Sequence, residues 1–308
     1  MSSRRLILVD GTYALYRAFF AIRNLATSAG QPTNAVFGFV RMLGQLREQW
    51  RPTHWVVVFD GAPRRRLAAW PEYKAQRPPA PDALKAQFAP VEEYLRCARV
   101  PCRRLADEEA DDVIATLAVR AAAEGAEALM ATNDKDLFQL VGERIALLQP
   151  AEGGPVRNGA AEVERKTGVP PERIVDWLSL TGDTVDNIPG VRGVGHKTAA
   201  TLLARFGNLE ALWARLEEVP QEKLRTALRG ARERVELNRE LVRLDTNVDC
   251  PLNWDELGVT AADTGALLAF YERMEFRRLA RDLSAPQLFG LETGGASEQD
   301  LTAGRGKS

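Results

Sequence analysis

Histidine is scarce: His54 and His196 are the only two in 308 residues. That leaves little material for imidazole acid–base chemistry or for zinc held by histidines. Cys97, Cys102 and Cys250 are odd in number and lack CxxC spacing, so neither a disulfide framework nor a structural zinc site is supported. No run approaches the roughly 20 apolar residues of a membrane helix, and Met1-Ser2-Ser3-Arg4-Arg5 leads into a strand-like segment instead of a signal-peptide core. A soluble, cytoplasmic chain with no membrane partner is the expectation. A basic excess is also missing, since the formal net charge is -1, which on average argues against a polyanionic partner.

The average hides the layout. Between Ala62 and Pro78 the only acid is Glu72, against Arg64, Arg65, Arg66, Lys74 and Arg77. A second basic stretch carries Lys223, Arg225, Arg229, Arg232, Arg234 and Arg239, diluted by Glu222, Glu233, Glu236 and Glu240, and reads equally as a solvated helix face with i,i+4 pairs. Acids gather elsewhere. Leu6-Ile7-Leu8-Val9-Asp10-Gly11 and Val56-Val57-Val58-Phe59-Asp60-Gly61 repeat one design, an apolar run ending in Asp-Gly. In open α/β sheets ligands bind beyond the C-terminal strand ends, so acids from separate strands converge there.

Strand-like runs at Leu6 to Val9, Trp55 to Phe59, Ala128 to Ala131 and Ile145 to Leu148 alternate with helical patterns at about Thr33 to Trp50, Ala83 to Cys97 and Ala110 to Glu124. The alternation predicts an α/β fold with a mainly parallel sheet. Pro78, Pro79 and Pro81 punctuate an insertion after the second strand, because each removes a donor and fixes the backbone. Beyond about residue 160 helices dominate. The expected organisation is a domain over 1–160 with an insertion at about 62–90, a helical domain over 161–289, and a disordered Gly/Ser/charge tail over 290–308.

Asp107-Glu108-Glu109-Ala110-Asp111-Asp112 opens a helix with five acids in six residues. One or two would suit the helix dipole; five repel one another and need a cation. Asp134 and Asp136 bracket Lys135, and Asp183 and Asp186 precede Ile188-Pro189-Gly190. Each pair alone reads as a cap or turn. Together Asp10, Asp60, Glu109, Asp111, Asp112, Asp134, Asp136, Asp183 and Asp186 form two groups, and two hard cations side by side are a standard device for phosphodiester hydrolysis. All-oxygen ligands favour Mg²⁺ or Mn²⁺ over zinc.

Gly190-Val191-Arg192-Gly193-Val194-Gly195-His196-Lys197-Thr198 is not a Walker motif, since His196 separates the last glycine from Lys197. What remains is a glycine hairpin opening a helix, whose N–H groups hold phosphate without reading bases. This helix-hairpin-helix pattern is a sequence-independent DNA clamp, with Gly193, Gly195, Lys197 and Thr198 as its contacts. Trp70-Pro71-Glu72-Tyr73-Lys74-Ala75-Gln76-Arg77 could stack Tyr73 on a base while Lys74 and Arg77 reach phosphate, although an aromatic beside bases is also common on plain surfaces.

These residues together resemble the 5′–3′ exonuclease domain of bacterial DNA polymerase I, within the flap endonuclease family. The match runs from Asp10 to about Arg278 through VDG with Tyr16-Arg17, VFDG, YKxxRP, EADD, Asn133-Asp134-Lys135-Asp136, GDxxDNIPGVxGVGxKTA and Tyr271-Glu272-Arg273-Met274-Glu275-Phe276. The resemblance implies a PIN-like (resolvase-like) catalytic domain, an all-α helix-three-turn-helix domain gripping duplex, and a helical arch over the 5′ strand. It implies that Asp10, Asp60, Glu109, Asp111 and Asp112 hold or support one metal and that Asp134, Asp136, Asp183 and Asp186 serve a second. Lys74 and Arg66 would stabilise phosphoryl charge, and Arg17, Tyr73 and Arg77 would touch DNA. The cofactors implied are Mg²⁺, replaceable by Mn²⁺, with K⁺ at the hairpin. The expected substrates are 5′ flaps, nicked or gapped duplex and RNA primers on DNA; the expected state is a stand-alone monomer working with a DNA polymerase in the nucleoid. Asn133 stands where the family has Gly, which Asn tolerates through its access to left-handed backbone. His196 stands where the hairpin often carries Glu or Lys. Two rival readings remain: a PIN-type ribonuclease, which normally lacks the arch and hairpin, and a non-catalytic DNA-binding scaffold in which the acids are remnants.

Overall fold

The computed structural model describes residues 4–284; the expected tail from Gly290 lies outside them. Strand β1 (Arg5–Asp10) is followed by α1 (Gly11–Ala21) and α2 (Asn34–Trp50), and β2 (His54–Phe59) by α3 (Arg64–Ala69), α4 (Asp82–Lys85) and α5 (Phe88–Cys97). Next come β3 (Cys102–Arg104), α6 (Ala110–Ala123), β4 (Glu127–Ala131), β5 (Ile145–Gln149) and β6 (Val156–Asn158). These six strands form one sheet in the order β3-β2-β1-β4-β5-β6, parallel except for β6. The chain leaves β1 towards β2 and β3 and returns to place β4 on the other side of β1. The topological switch therefore lies between β1 and β4, where open α/β sheets bind ligands.

Period-two alternation splits the buried strand residues between two cores. Leu6, Leu8, Val56 and Val58 pack with α6, while Ile7, Val9, Val57 and Phe59 pack with α1, α2 and α5. The expected helix over Ala83 to Cys97 is broken into α4 and α5. Gln87, 0% exposed, sits at the break: its Oε1 accepts from Ala35 N (2.8 Å) and Val36 N (3.2 Å). The side chain satisfies orphan donors in the first turn of α2.

After β6 the chain is helical: α7 (Ala160–Thr167), α8 (Ile174–Thr181), α9 (His196–Phe206), α10 (Leu209–Ala214), α11 (Glu222–Val242), α12 (Trp254–Leu257), α13 (Thr264–Arg273) and α14 (Arg277–Ser284). Among the described residues a short ladder interrupts this part, β7 (Gly182–Asp183) against β8 (Ile188–Pro189). Helices α8, α9 and α11 join the α6 side of the sheet, whereas Leu267, Phe270, Tyr271, Met274 and Phe276 return to the other core, where Phe270 lies 5.9 Å from the Tyr94 ring. Among the described residues no helix is long and apolar enough to cross a membrane.

Candidate metal centre and its basic cover

Asp10 ends β1 and caps α1: its Oδ1 accepts from Tyr13 N (2.9 Å) and its Oδ2 from Thr132 Oγ1 (3.1 Å). Thr132 follows β4, so one hydrogen bond spans the switch point. Asp60, just past β2, accepts from Ala110 N (2.8 Å) at the start of α6. That contact draws the acid-rich helix start towards the strand ends. Asp134 Oδ1 accepts from Asp136 N (2.9 Å), and Asp183 Oδ1 from Val185 N (2.8 Å).

The electrostatics are those of crowded anions. Burial, then the charge of Asp60, pushes Asp10 up to about 7. Asp111 is raised by burial and by Asp134, Asp10 and Asp60, and Asp136 by burial and by Asp134, Asp186 and Asp183. Asp136 Oδ1 is buried with no hydrogen-bond partner. Anionic oxygens held in this way have the chemistry of ligands for a hard divalent cation. Among the described residues no three acidic, histidine or cysteine side chains are placed to hold a metal ion as they stand; side-chain cations engage several of the acids.

Glu109, Asp112, Asp183 and Asp186 are the acids so engaged. Arg66 Nη1 donates to Glu109 and, at 2.5 Å, to Asp112 Oδ2; Arg66 Nη2 reaches Asp112 Oδ1 at 3.0 Å, and Nε donates to Leu241 O at 2.8 Å. Asp112 Oδ1 also accepts from Asp245 N (2.8 Å). Lys74 Nζ donates to Glu109 and lies 3.9 Å from Asp186 Oδ2. Arg77 Nη2 donates to Asp186 Oδ1 at 2.5 Å, and Lys135 Nζ sits 3.1 Å from Asp183 Oδ2. Burial works against the charge of Lys74, but Asp186 and Glu109 outweigh it and hold its pKa above the ordinary lysine value. Lys74 also has φ 57°, uncommon for a non-glycine residue, and its N–H donates to Asp186 O at 3.0 Å.

The structure places three of the expected site residues in buried contacts. Arg66 is 3% exposed and donates to two carboxylates and a helix carbonyl. Both oxygens of Asp112 accept hydrogen bonds, from Arg66 and from a backbone N–H. Tyr73 is 4% exposed and its hydroxyl donates to Asp186 Oδ2 (2.7 Å). The insertion after β2 lies folded on the acids. Trp70 Nε1 donates to Asn187 O (3.2 Å) and Asn187 Nδ2 to Glu72 O (2.7 Å), which stitches it to the Asp183–Asp186 loop.

The glycine hairpin follows directly. Gly182 has φ 68°, and a Cβ there would lie 2.3 Å from Gly190 N; a Cβ on Gly190 would lie 2.1 Å from Thr181 O. Only glycine permits this close backbone crossing. Gly193 and Gly195 are exposed at the mouth of α9, beside exposed Lys197 and half-buried Thr198. The Trp177 and His196 rings lie 4.6 Å apart, and Trp177 Nε1 donates to His196 O (3.1 Å). The sequence reading missed Thr132, Asn187 and Asn238. Asn238 is 0% exposed and donates to Ser179 O (3.0 Å) and Pro189 O (2.9 Å), holding the hairpin ladder against α11. The unusual amide inside an amphipathic helix was the available signal.

A switch-point sheet with converging carboxylates, joined to a glycine hairpin that feeds a helix, defines a nuclease of the resolvase-like class. Residues 5–168 match the family model for the 5′–3′ exonuclease N-terminal resolvase-like domain, and residues 169–265 that for the 5′–3′ exonuclease C-terminal SAM fold. The 5′–3′ exonuclease of Aquifex aeolicus is 38% identical over 281 residues, covering 91% of this chain and 95% of that protein. DNA polymerase I of Pseudomonas aeruginosa is 42% identical over 291 residues, 92% of this chain but 32% of the polymerase. The chain thus spans about a third of that polymerase. The fold is shared with T5 5′-exonuclease carrying zinc (TM-score 0.66, 21% identity, 91% of this chain and 98% of that one) and with the Rad2 catalytic core in complex with DNA substrate (TM-score 0.62, 18% identity, 91% of each). The chain belongs to the 5′–3′ exonuclease family.

Proposed function

We propose that this chain is a Mg²⁺-dependent, structure-selective 5′ nuclease that hydrolyses DNA at flaps, nicks, gaps and 5′ ends, and removes RNA primers paired to DNA. The observation that carries the reading is the crowding of carboxylates near the switch point, where burial and the charges of Asp134, Asp10 and Asp60 raise Asp111, and Asp136 Oδ1 beside Asp134 is buried and unpartnered. These five residues would hold the cations, joined by Asp183 and Asp186 once Lys135 and Arg77 release them, with Glu109 between the two groups. When bound, the cations lower the pKa of the attacking water and stabilise the leaving oxygen.

The chain's own groups do the rest. Lys74, 20% exposed at its side chain, is the cation placed to move from Glu109 to a phosphate oxygen. Arg77, less buried, would follow from Asp186. Gly193, Gly195, Lys197 and Thr198 would hold the duplex by its backbone, without base readout and with K⁺ at the hairpin. The metal-bound T5 relative supports metal dependence, and the match to a third of DNA polymerase I in Pseudomonas aeruginosa supports action beside a polymerase; the chain would act in the nucleoid as a monomer. The test is a 5′-flapped duplex incubated with Mg²⁺, with EDTA, and with Asp183→Ala protein. Mg²⁺-dependent cuts near the junction, lost in the variant while duplex binding persists, are expected. Intact DNA with normal binding would replace the reading with that of a scaffold.

A further inference from the structure

Helix α11 touches both halves of the second carboxylate group within one turn. Val242 O is among its last carbonyls, which have no partner inside a helix; it accepts from Gln139 Nε2 at 3.0 Å. The same amide nitrogen donates to Asp136 O at 2.7 Å, and Gln139 Oε1 accepts from Leu244 N at 3.1 Å. Gln139 belongs to a 3₁₀ turn, Asp136–Leu140. Residues three apart eclipse in that geometry, which sets Gln139 over Asp136. Both donors of the Gln139 amide are thus spent on fastening the loop of Asp134 and Asp136 to the end of α11.

Asn238 precedes Val242 by one turn, about 6 Å along the helix axis. Its Nδ2 donates to Ser179 O and Pro189 O, while its Oδ1 is buried without a partner. Two donors at once, and not polarity in general, are what this position uses. Pro189 pairs with Gly182 and Ile188 with Asp183, so the grip fixes the ladder that carries Asp183. The Asp134 and Asp136 pair follows β4, and the Asp183 and Asp186 pair follows α8, far away in sequence. Yet the charges of Asp183 and Asp186 both act on Asp136. One turn of α11 is the common support of the two pairs.

We propose that Gln139 and Asn238 are positioning residues for the second cation: through α11 they set the spacing of the two carboxylate pairs that would hold it. This rests on the metal-dependent nuclease reading. Both side chains donate to backbone carbonyls, so they act through the placement of the acids and not on substrate.

The test is Mn²⁺ binding to the DNA-free full chain, read from the electron paramagnetic resonance signal of the free ion, beside the Mg²⁺ concentration for half-maximal flap cleavage. Gln139→Met keeps the length of the side chain and removes its donors. It should weaken one Mn²⁺ site about tenfold or more, the cost of losing a group that orients a ligand, and spare the other. The Mg²⁺ midpoint should rise by a similar factor, with kcat recovered at saturating Mg²⁺. Asn238→Leu should do the same; if it fails to fold, Gln139→Met decides alone. Thr116→Val is the control. Thr116 is 0% exposed, and its Oγ1 donates to Asp245 O (3.2 Å) and accepts from Val248 N (3.1 Å), so this variant loosens the chain just after α11 without touching either acid loop. It should lower the melting temperature and leave both Mn²⁺ sites unchanged. Unchanged Mn²⁺ binding in Gln139→Met, equal weakening of every site, or the same loss in Thr116→Val would overturn the proposal and leave the nuclease reading intact. A wild-type protein that binds no Mn²⁺ would overturn both.

Discussion

The Tyr73 hydroxyl donates to Asp186 Oδ2 at 2.7 Å across 113 residues of sequence. That bond places the YKxxR segment on the carboxylates, where Lys74 and Arg77 act as counter-ions. Divalent cations and substrate phosphate must therefore compete with, or recruit, cations that the chain itself supplies.

Lys74→Met removes the partly exposed member of that set. Single-turnover cleavage of a 5′ flap should fall about 10²-fold or more, as when a positioned charge-stabilising donor is lost, while duplex affinity changes little. An equal loss in both would assign Lys74 to binding alone.

Arg66→Ala should act on stability before activity. It leaves Glu109 and Asp112 buried without their guanidinium, a loss of about 3–5 kcal/mol for a broken buried pair. Arg66→Lys should recover little, because one ammonium cannot reproduce both the fork on Asp112 and the bond to Leu241 O. Denaturant unfolding of the three proteins measures this.

The raised carboxylates set a pH dependence of definite sign. Asp10 goes from 3.8 to about 7 on folding, so between these values the folded chain binds more protons than the unfolded chain. Stability contributed by this group is present at low pH and falls as pH rises through that window. Asp111, Asp134 and Asp136 shift in the same direction. Without divalent metal, the melting temperature should drop between pH 3.8 and about 7; Mg²⁺ should flatten the curve by stabilising most at the upper end. A metal-free melting temperature that rises across this window would contradict the assignment.

Lys197→Ala should weaken duplex binding nearly equally for unrelated sequences and reduce the slope of log affinity against log salt by about 1, as expected for one lost phosphate contact. Fluorescence anisotropy over a salt series reads it. Sequence-dependent losses would point to base contact instead.

The acids were legible because each ends an apolar run or opens a helix, and local pattern alone brings Asp10 and Asp60 to one edge. The contacts of the basic stretch around Arg66 and Tyr73 were not legible, for an equally physical reason. A cluster of cations reads as solvent-facing surface unless its neutralising partners are known, and here they lie 35 to 112 residues away. Thr132 carried no distinctive pattern, since a hydroxyl after a strand is commonplace. Gln87 broke a helix that its own periodicity supported, because it serves donors on α2. The dominance of helices beyond about residue 160 was legible, but not the core that would receive α13.

The return of α13 to the core built on α1, α2 and α5 has a consequence for dissection. The two family matches meet between residues 168 and 169, an inviting place to split the chain. A fragment ending there would lose Phe270 from its interior, Leu241 O from Arg66 and Asp186 from Tyr73. The sequence families are modular; the folded molecule is not, and its nuclease half depends on the very last helices to be complete.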